Sequence, residues 1–202
     1  MKIAVFGGSF DPFTIAHFAI VKAVLHAMPD LDKLIILPSI VNYHRDGKKP
    51  WLRYLERIAP INQFLEFVHD DRVVLDLHEY DFYKESMKKD PEAIKNRRYV
   101  HMLRSVCSRY LGPNKEVLGP NKEVFTIIGS DSLDNFKTWY RYEDILDISS
   151  LIVVNGRDGK ISCVPADLSE HVKCVCHIKG ALNVNQLENV SATIIRDTYA
   201  DK

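Results

Sequence analysis

The residues best suited to chemistry lie near the start of the 202-residue chain, in Phe6-Gly7-Gly8-Ser9-Phe10-Asp11-Pro12-Phe13-Thr14-Ile15-Ala16-His17. They close the short apolar run Ile3-Ala4-Val5-Phe6 and open the apolar-periodic segment 18–25, so the pattern predicts a buried strand, a glycine turn and a helix. Two adjacent glycines leave backbone N–H groups uncovered, and a helix start adds a positive dipole end. An oligophosphate suits such a place. His17 stands at the start of the helix, where a ring N–H could reach a phosphate oxygen. The same residues also read as a plain strand-to-helix turn capped by Thr14. The loop is not G-x-G-x-x-G and lacks the lysine of a Walker loop, which excludes the two commonest phosphate loops.

A second strand, glycine and helix pattern follows in Val124-Phe125-Thr126-Ile127-Ile128 and Gly129-Ser130-Asp131-Ser132-Leu133. Two such turns on adjacent central strands would build one crevice at a topological switch point. Asp131 would line that crevice or cap its own helix. A third group is Val190-Ser191-Ala192-Thr193-Ile194-Ile195-Arg196, which in isolation reads as a helix start. Tyr43-His44-Arg45 and Lys48-Lys49 place positive charge after the apolar run 33–38. That loop is either part of the ligand edge or a solvated basic loop.

Composition narrows the setting of these groups. The chain is 46% hydrophobic and 27% charged, which suits one globular domain over 1–202 with a charge-rich insertion around 79–98. Lys plus Arg equals Asp plus Glu at 27 each, so no global field attracts nucleic acid or an anionic membrane. Met1 leads into a strand without a basic n-region, and no apolar run approaches the roughly 18 residues of a membrane span. A cytoplasmic protein is the simplest inference. The four cysteines, 107, 163, 174 and 176, are irregularly spaced and read as free thiols. Cys174-x-Cys176 lacks the paired spacing of a zinc site and reads as a strand face.

The positioning elements form an α/β alternation. Residues 33–38 read as the second strand, 51–68 as a helix with Leu52, Leu55, Ile58, Ile61 and Leu65 on its apolar face, and Pro60 should kink or restart it. A strand over 72–77, an excursion from the core over 79–98 and a helix over 99–110 follow. The heptapeptide Leu-Gly-Pro-Asn-Lys-Glu-Val stands twice in 111–124, a duplicated surface turn without expected function. Residues 151–154 read as a strand, with one further strand at most before Gly180.

The motifs resemble those of the nucleotidyltransferase superfamily, whose first loop runs Gly-x-Phe-x-Pro and ends in His/Thr-x-Gly-His. Here these stand as Gly8-Ser9-Phe10-Asp11-Pro12 and Thr14-Ile15-Ala16-His17, with Ala16 in place of the usual glycine. Ile127-Ile128-Gly129-Ser130-Asp131-Ser132-Leu133 and Phe136-Lys137-Thr138-Trp139-Tyr140-Arg141-Tyr142-Glu143 resemble the middle of the bacterial nicotinate mononucleotide adenylyltransferases. Ser191, Thr193 and Arg196 match that family's Ile-Ser-x-Thr-x-x-Arg, and Tyr43-His44-Arg45 its Pro-Pro-His-Lys/Arg. Of the family's Ser-Tyr-Thr only Tyr99 remains, and the chain stops six residues after Arg196, where relatives usually continue.

The resemblance implies a Rossmann-like, doubly wound, mainly parallel sheet and transfer of AMP from ATP to a pyridine mononucleotide, with Mg²⁺ on the ATP phosphates. It implies catalytic roles for His17, Thr14 and Arg196, and ATP contacts at Gly8, Ser9, Phe10, Gly129, Asp131, Ser191 and Thr193. His44, Arg45, Tyr99 and Trp139 would meet the mononucleotide, Trp139 by stacking on the pyridine ring. Arg97 and Arg98 beside Tyr99 would favour nicotinate over nicotinamide by charge. A homo-oligomer is left open. The rivals are a pantetheine-phosphate adenylyltransferase and a nucleotide-binding homologue with impaired catalysis.

Overall fold

The computed structural model describes residues 1–40, 53–112, 123–155 and 164–178. Their strands are β1 (Ile3–Gly8), β2 (Lys33–Pro38), β3 (Val73–Leu75), β4 (Val124–Gly129), β5 (Ser150–Asn155) and β6 (Val172–His177), joined in one sheet in the order β3-β2-β1-β4-β5-β6. Every pairing is parallel. The expected α/β doubly wound architecture is therefore present. Strands covered on both faces read as unbroken apolar runs, and Ile3, Ala4, Val5, Leu34, Ile35, Ile36, Ile152 and Val153 are wholly buried. The edge strands β3 and β6 are more open, and β6 is also less apolar.

Helices α1 (Ile15–Ala27) and α2 (Tyr54–Val68) pack on one face, where Ala19, Val21, Val24, Ile58, Ile61 and Phe64 meet Ala4, Leu34, Ile36 and Ile152. Helices α3 (His78–Lys89), α4 (Pro91–Asn96), α5 (Tyr99–Leu111), α6 (Ser130–Leu133) and α7 (Tyr142–Ile148) complete the α-helices of the described residues. The second core joins α5 and α7, through Val100, Leu103, Val106, Ile145 and Leu146, to Ile3, Val5, Ile35 and Val153. The change of face between the α1–α2 and α5–α7 crossovers accompanies the reversal of strand order, as right-handed crossovers require.

Three expectations are corrected. Helix α2 runs through Pro60 without a break and turns its apolar stripe away from Leu55, which is 60% exposed, toward Ile58, Ile61 and Phe64. Strand β3 stops at Leu75 because Asp76 turns the chain, its Oδ1 accepting from the His78 N–H at 2.7 Å. The stretch 79–98 is not an excursion but the helical pair α3 and α4, tied back to the core. Tyr80 stacks on Tyr54 of α2 at 4.9 Å and 5°. Cys174 and Cys176 lie on β6, as read, and with Cys107 are free thiols.

The tie of 79–98 is a buried ion pair. Arg97 donates to Glu79 Oε1 and Oε2 from Nε at 3.0 and 2.9 Å, and from Nη2 to Oε1 at 2.6 Å. Nη2 also donates to Ser105 Oγ at 3.0 Å, and the guanidinium lies 3.9 Å from the Phe82 ring centroid. The side chains are 2% and 11% exposed for Glu79 and Arg97, so removing one partner strands a charge out of water. Glu79→Ala is expected to lower unfolding free energy by about 3 kcal/mol. Urea denaturation would check this, and a loss below about 1 kcal/mol would mean that water already solvates the pair.

Candidate active site

Strand β1 pairs with β4 over Ile3↔Val124, Ala4↔Phe125 and Val5↔Thr126 and no further. On its other side β1 stays paired to Gly8↔Pro38, and β4 stays paired with β5 to Gly129↔Val154. The two central strands thus both continue for three residues beyond their last shared bonds. A crevice opens between them, at the carboxyl ends of strands whose order reverses there.

Tyr99, the first residue of α5, fills the foot of that opening. Its ring lies against Gly7, where a Cβ would stand 2.5 Å from Tyr99 Cε2. Its hydroxyl donates to Thr126 Oγ1 at 3.3 Å, Thr126 Oγ1 lies 2.7 Å from Ser149 Oγ, and Ser149 donates to the Ile145 carbonyl at 3.0 Å. Because Ser149 uses its proton on a carbonyl, the Thr126 proton points at Ser149, and the chain runs in one direction. Burial raises the Tyr99 pKa above its ordinary value, so the hydroxyl keeps the proton this chain needs. Among the described glycines, only Gly112 has a positive φ. Gly7 and Gly8 therefore do not turn the chain, as their adjacency suggested. They belong to β1, and Gly7 is needed for the close approach of a ring.

The turn itself falls on Phe10, at φ 46°. Its ring folds back over Gly8, about 3.1 Å from where a Cβ would be, and is 2% exposed. The ATP contact expected of Phe10 would therefore fall to its backbone rather than to its buried ring. The ring faces His17 edge-on at 5.2 Å, while Phe13 stacks on the same imidazole at 5.2 Å and 25°. Thr14 is the N-cap of α1, with φ −123° and ψ 168°, and its backbone N–H donates to His17 Nδ1 at 2.9 Å. A backbone N–H can only donate, so Nδ1 is unprotonated and the ring proton sits on Nε2. The sequence thus builds a half-buried imidazole whose plane is held by phenylalanines and whose tautomer is set by its own helix cap.

Across the crevice β4 ends at Gly129, and Asp131 follows in the first turn of α6. Asp131 is exposed and accepts the Ser132 N–H on Oδ1 at 3.0 Å; Gly129 rather than Asp131 is the N-cap. Trp139 is half-buried and meets Tyr99 at 5.4 Å in an edge contact, with Phe136 beneath it at 5.4 Å. The structure therefore brings Gly8, Ser9, Thr14 and His17 to the end of β1, Gly129 and Asp131 to the end of β4, and Tyr99 and Trp139 into contact. Arg97 is engaged with Glu79, which removes it from the charge argument for a pyridine carboxylate. His44, Arg45, Ser191, Thr193 and Arg196 lie outside the described residues. A cavity of about 710 Å³ lined by Lys22, His26, Arg72 and Cys176 involves none of the candidate residues.

Arg57 was missed. It projects from the apolar face of α2, is 1% exposed, and its Nη1 donates to the carbonyls of Ser9 and of Ser39, the latter at 2.8 Å. Nη2 reaches the Ile40 carbonyl at 3.4 Å. Burial lowers its pKa while the negative Asp11, itself 5% exposed, acts in the opposite sense. The available signal was an arginine at the 3.6-residue period of Tyr54, Ile58, Ile61 and Phe64. Thr126 inside an apolar strand was a weaker signal for the Tyr99 chain.

An open parallel sheet that reverses its order at the centre, with two strand-to-helix turns beside the reversal, is the frame on which α/β proteins bind nucleotides. The sequence matches the Cytidylyltransferase-like family over residues 5–198, and the chain belongs to that family of nucleotidyltransferases. It is similar to the probable nicotinate-nucleotide adenylyltransferase of Fusobacterium nucleatum subsp. nucleatum, 28% identical over 202 residues that span 100% of this chain and 89% of that protein. The protein of the same name from Aliarcobacter butzleri is 28% identical over 155 residues, 76% of this chain and 70% of its own length. In fold it resembles the Plasmodium falciparum nicotinic acid mononucleotide adenylyltransferase complexed with NaAD, with a TM-score of 0.63 and 16% identity over 96% of this chain and 82% of that one.

Gly7→Ala tests the seat of Tyr99. The added methyl would overlap a ring pinned at its hydroxyl, and overpacking of this kind costs about 1–3 kcal/mol. Adding Tyr99→Leu should make the pair less destabilised than the sum of the single changes, as residues in contact are non-additive. Strict additivity in chemical denaturation would show that Tyr99 moves away freely.

Proposed function

We propose that the protein transfers the adenylyl group of ATP to nicotinate mononucleotide, forming a dinucleotide and releasing pyrophosphate. The observation that carries this reading is His17 at the crevice, its Nδ1 closed by the Thr14 N–H and its proton therefore on Nε2. An oxygen of the mononucleotide phosphate attacks the α-phosphorus of ATP. A new P–O bond forms there, and the bond from the α-phosphorus to the bridging oxygen breaks as pyrophosphate leaves. No covalent nucleophile on the protein is needed. Such a step is accelerated by positioning and by fixed charge where negative charge grows.

His17 Nε2–H donates to a non-bridging oxygen of the five-coordinate phosphorus, and the positive end of α1 adds to the same stabilisation. Thr14 holds the ring in its tautomer. Gly8, Ser9, Gly129 and Asp131 meet the nucleotide at the two strand ends, and the Trp139 ring and the edge of Tyr99 offer the pyridine a flat apolar wall. His44 and Arg45 would bind the mononucleotide, and Ser191, Thr193 and Arg196 the distal phosphates, Arg196 taking the charge of the departing pyrophosphate. ATP carries Mg²⁺ on its own phosphates. The names of the relatives favour the nicotinate form of the acceptor.

The test is pyrophosphate release with ATP, Mg²⁺ and, in parallel, nicotinate mononucleotide, nicotinamide mononucleotide and phosphopantetheine. Turnover is expected with nicotinate mononucleotide; turnover only with phosphopantetheine, or none with ATP still bound, would overturn the reading. His17→Ala is expected to lower turnover about 100-fold or more, the scale of one lost preorganised donor, near 3 kcal/mol. Its effect on stability should stay near 1 kcal/mol, the size of a lost cap. Turnover unchanged by the substitution would remove His17 from the mechanism.

A further inference from the structure

Arg57 occupies a place that helix packing reserves for an apolar side chain. A guanidinium there is unfavourable unless polar groups meet it, and the groups that do are backbone carbonyls of two separate loops. Ser9 stands just after β1, at the head of the segment that leads through Phe10 to the Thr14–His17 cap. Ser39 and Ile40 stand just after β2. The Asp11 carboxylate, buried in the first loop, attracts the same charge. A leucine or methionine would fill the same volume of the core, so packing alone does not call for arginine here. Three carbonyls in two loops do, because only a planar fork presents several donors in fixed directions.

We propose that Arg57 is a positioning residue of this site, a clamp that ties the loop after β1 to the loop after β2 and so sets where the His17 imidazole stands over the strand ends. The clamp itself is a statement about structure. Its effect on turnover rests on the reading of His17 given above.

Hydrogen exchange followed by mass spectrometry separates the two, on the full-length protein and its Arg57→Lys and Arg57→Ala variants. In Arg57→Lys the core contact of the stem is kept and the fork is lost. Amides of 9–17 and 39–40 should exchange faster than in the unaltered protein, while those of 142–148 should not change. Turnover should fall between about 10- and 100-fold, chiefly in kcat, as expected for a catalytic group displaced by a fraction of its ideal geometry. Millimolar guanidinium should restore part of the turnover of Arg57→Ala and none of that of His17→Ala. Unchanged exchange in 9–17 would overturn the clamp, and faster exchange across the whole chain would reduce Arg57 to a residue needed only for folding. The exchange readout needs no substrate. A protein that turned over no mononucleotide would therefore sink the reaction proposed above while the clamp was still judged on the amides.

Discussion

The early end of the β1–β4 ladder governs the arrangement of the candidate site. After Val5 and Thr126 the two central strands share no further pairing, although each stays bonded to its outer neighbour. The cause is topological. The crossovers of α1 and α2 lie on one face and those of α5 and α7 on the other, so among the described residues no crossover helix lies over the strand ends where the order reverses. An opening of this kind leaves backbone and side-chain polar groups to be satisfied. Tyr99 does so from one side, through Thr126 and Ser149 to the carbonyl of Ile145.

Helices α1 and α5 both begin at this edge and solve the same problem in the same way. The first N–H groups of a helix lack partners within it, and near a nucleotide site a carboxylate cap would repel phosphate. In α1 the Thr14 N–H is accepted by His17 Nδ1, and in α5 the Arg98 N–H by His101 Nδ1, each at 2.9 Å. For His101, burial first and then Arg97, Arg104, Arg141 and Arg98 hold the pKa below its ordinary value, so the ring stays neutral and able to accept. A neutral histidine cap brings no negative charge and retains one N–H. At His101 this is a structural device, and at His17 the same device stands at the crevice.

The central strands were legible in the sequence because a strand buried on both faces reads as an apolar run: 3–6, 34–37 and 151–154 are unbroken, and Thr126 alone interrupts 124–128. The two strand-to-helix turns were legible for the same reason, since each follows such a run directly. Gly7 and Gly8 were assigned to a turn because adjacent glycines permit one; that Gly7 instead admits a ring from residue 99 depends on a contact 92 positions away, which no local pattern carries. The face of α2 was misread by one step. Leu55 and Ile58 share a helical spacing with Leu52, but the opposite choice, through Tyr54, Ile58, Ile61 and Phe64, places Arg57 inside, and a rule that keeps charge outside rejects it. The charged stretch 79–98 was read as leaving the core because a buried pair such as Glu79 and Arg97 has the same composition as a solvated one.

The misread positions share a property that explains why arginine and glutamate were placed in the interior at all. Arg57 holds carbonyls after β1 and β2, Asp76 holds the His78 N–H after β3, and Glu79 holds Arg97 just before α5. Each therefore secures a segment at the carboxyl ends of β1, β2 and β3, the edge on which the candidate site stands. Apolar burial is strong but non-directional, and a loop can slide on it by an ångström at little loss. Hydrogen bonds to charged groups weaken steeply when distance or angle changes, so they penalise that slide even where their net contribution to stability is small. The interior of the sheet can rely on leucine, isoleucine and valine because its geometry is already set by the strand ladders. The loops have no ladder, and buried charge takes its place there.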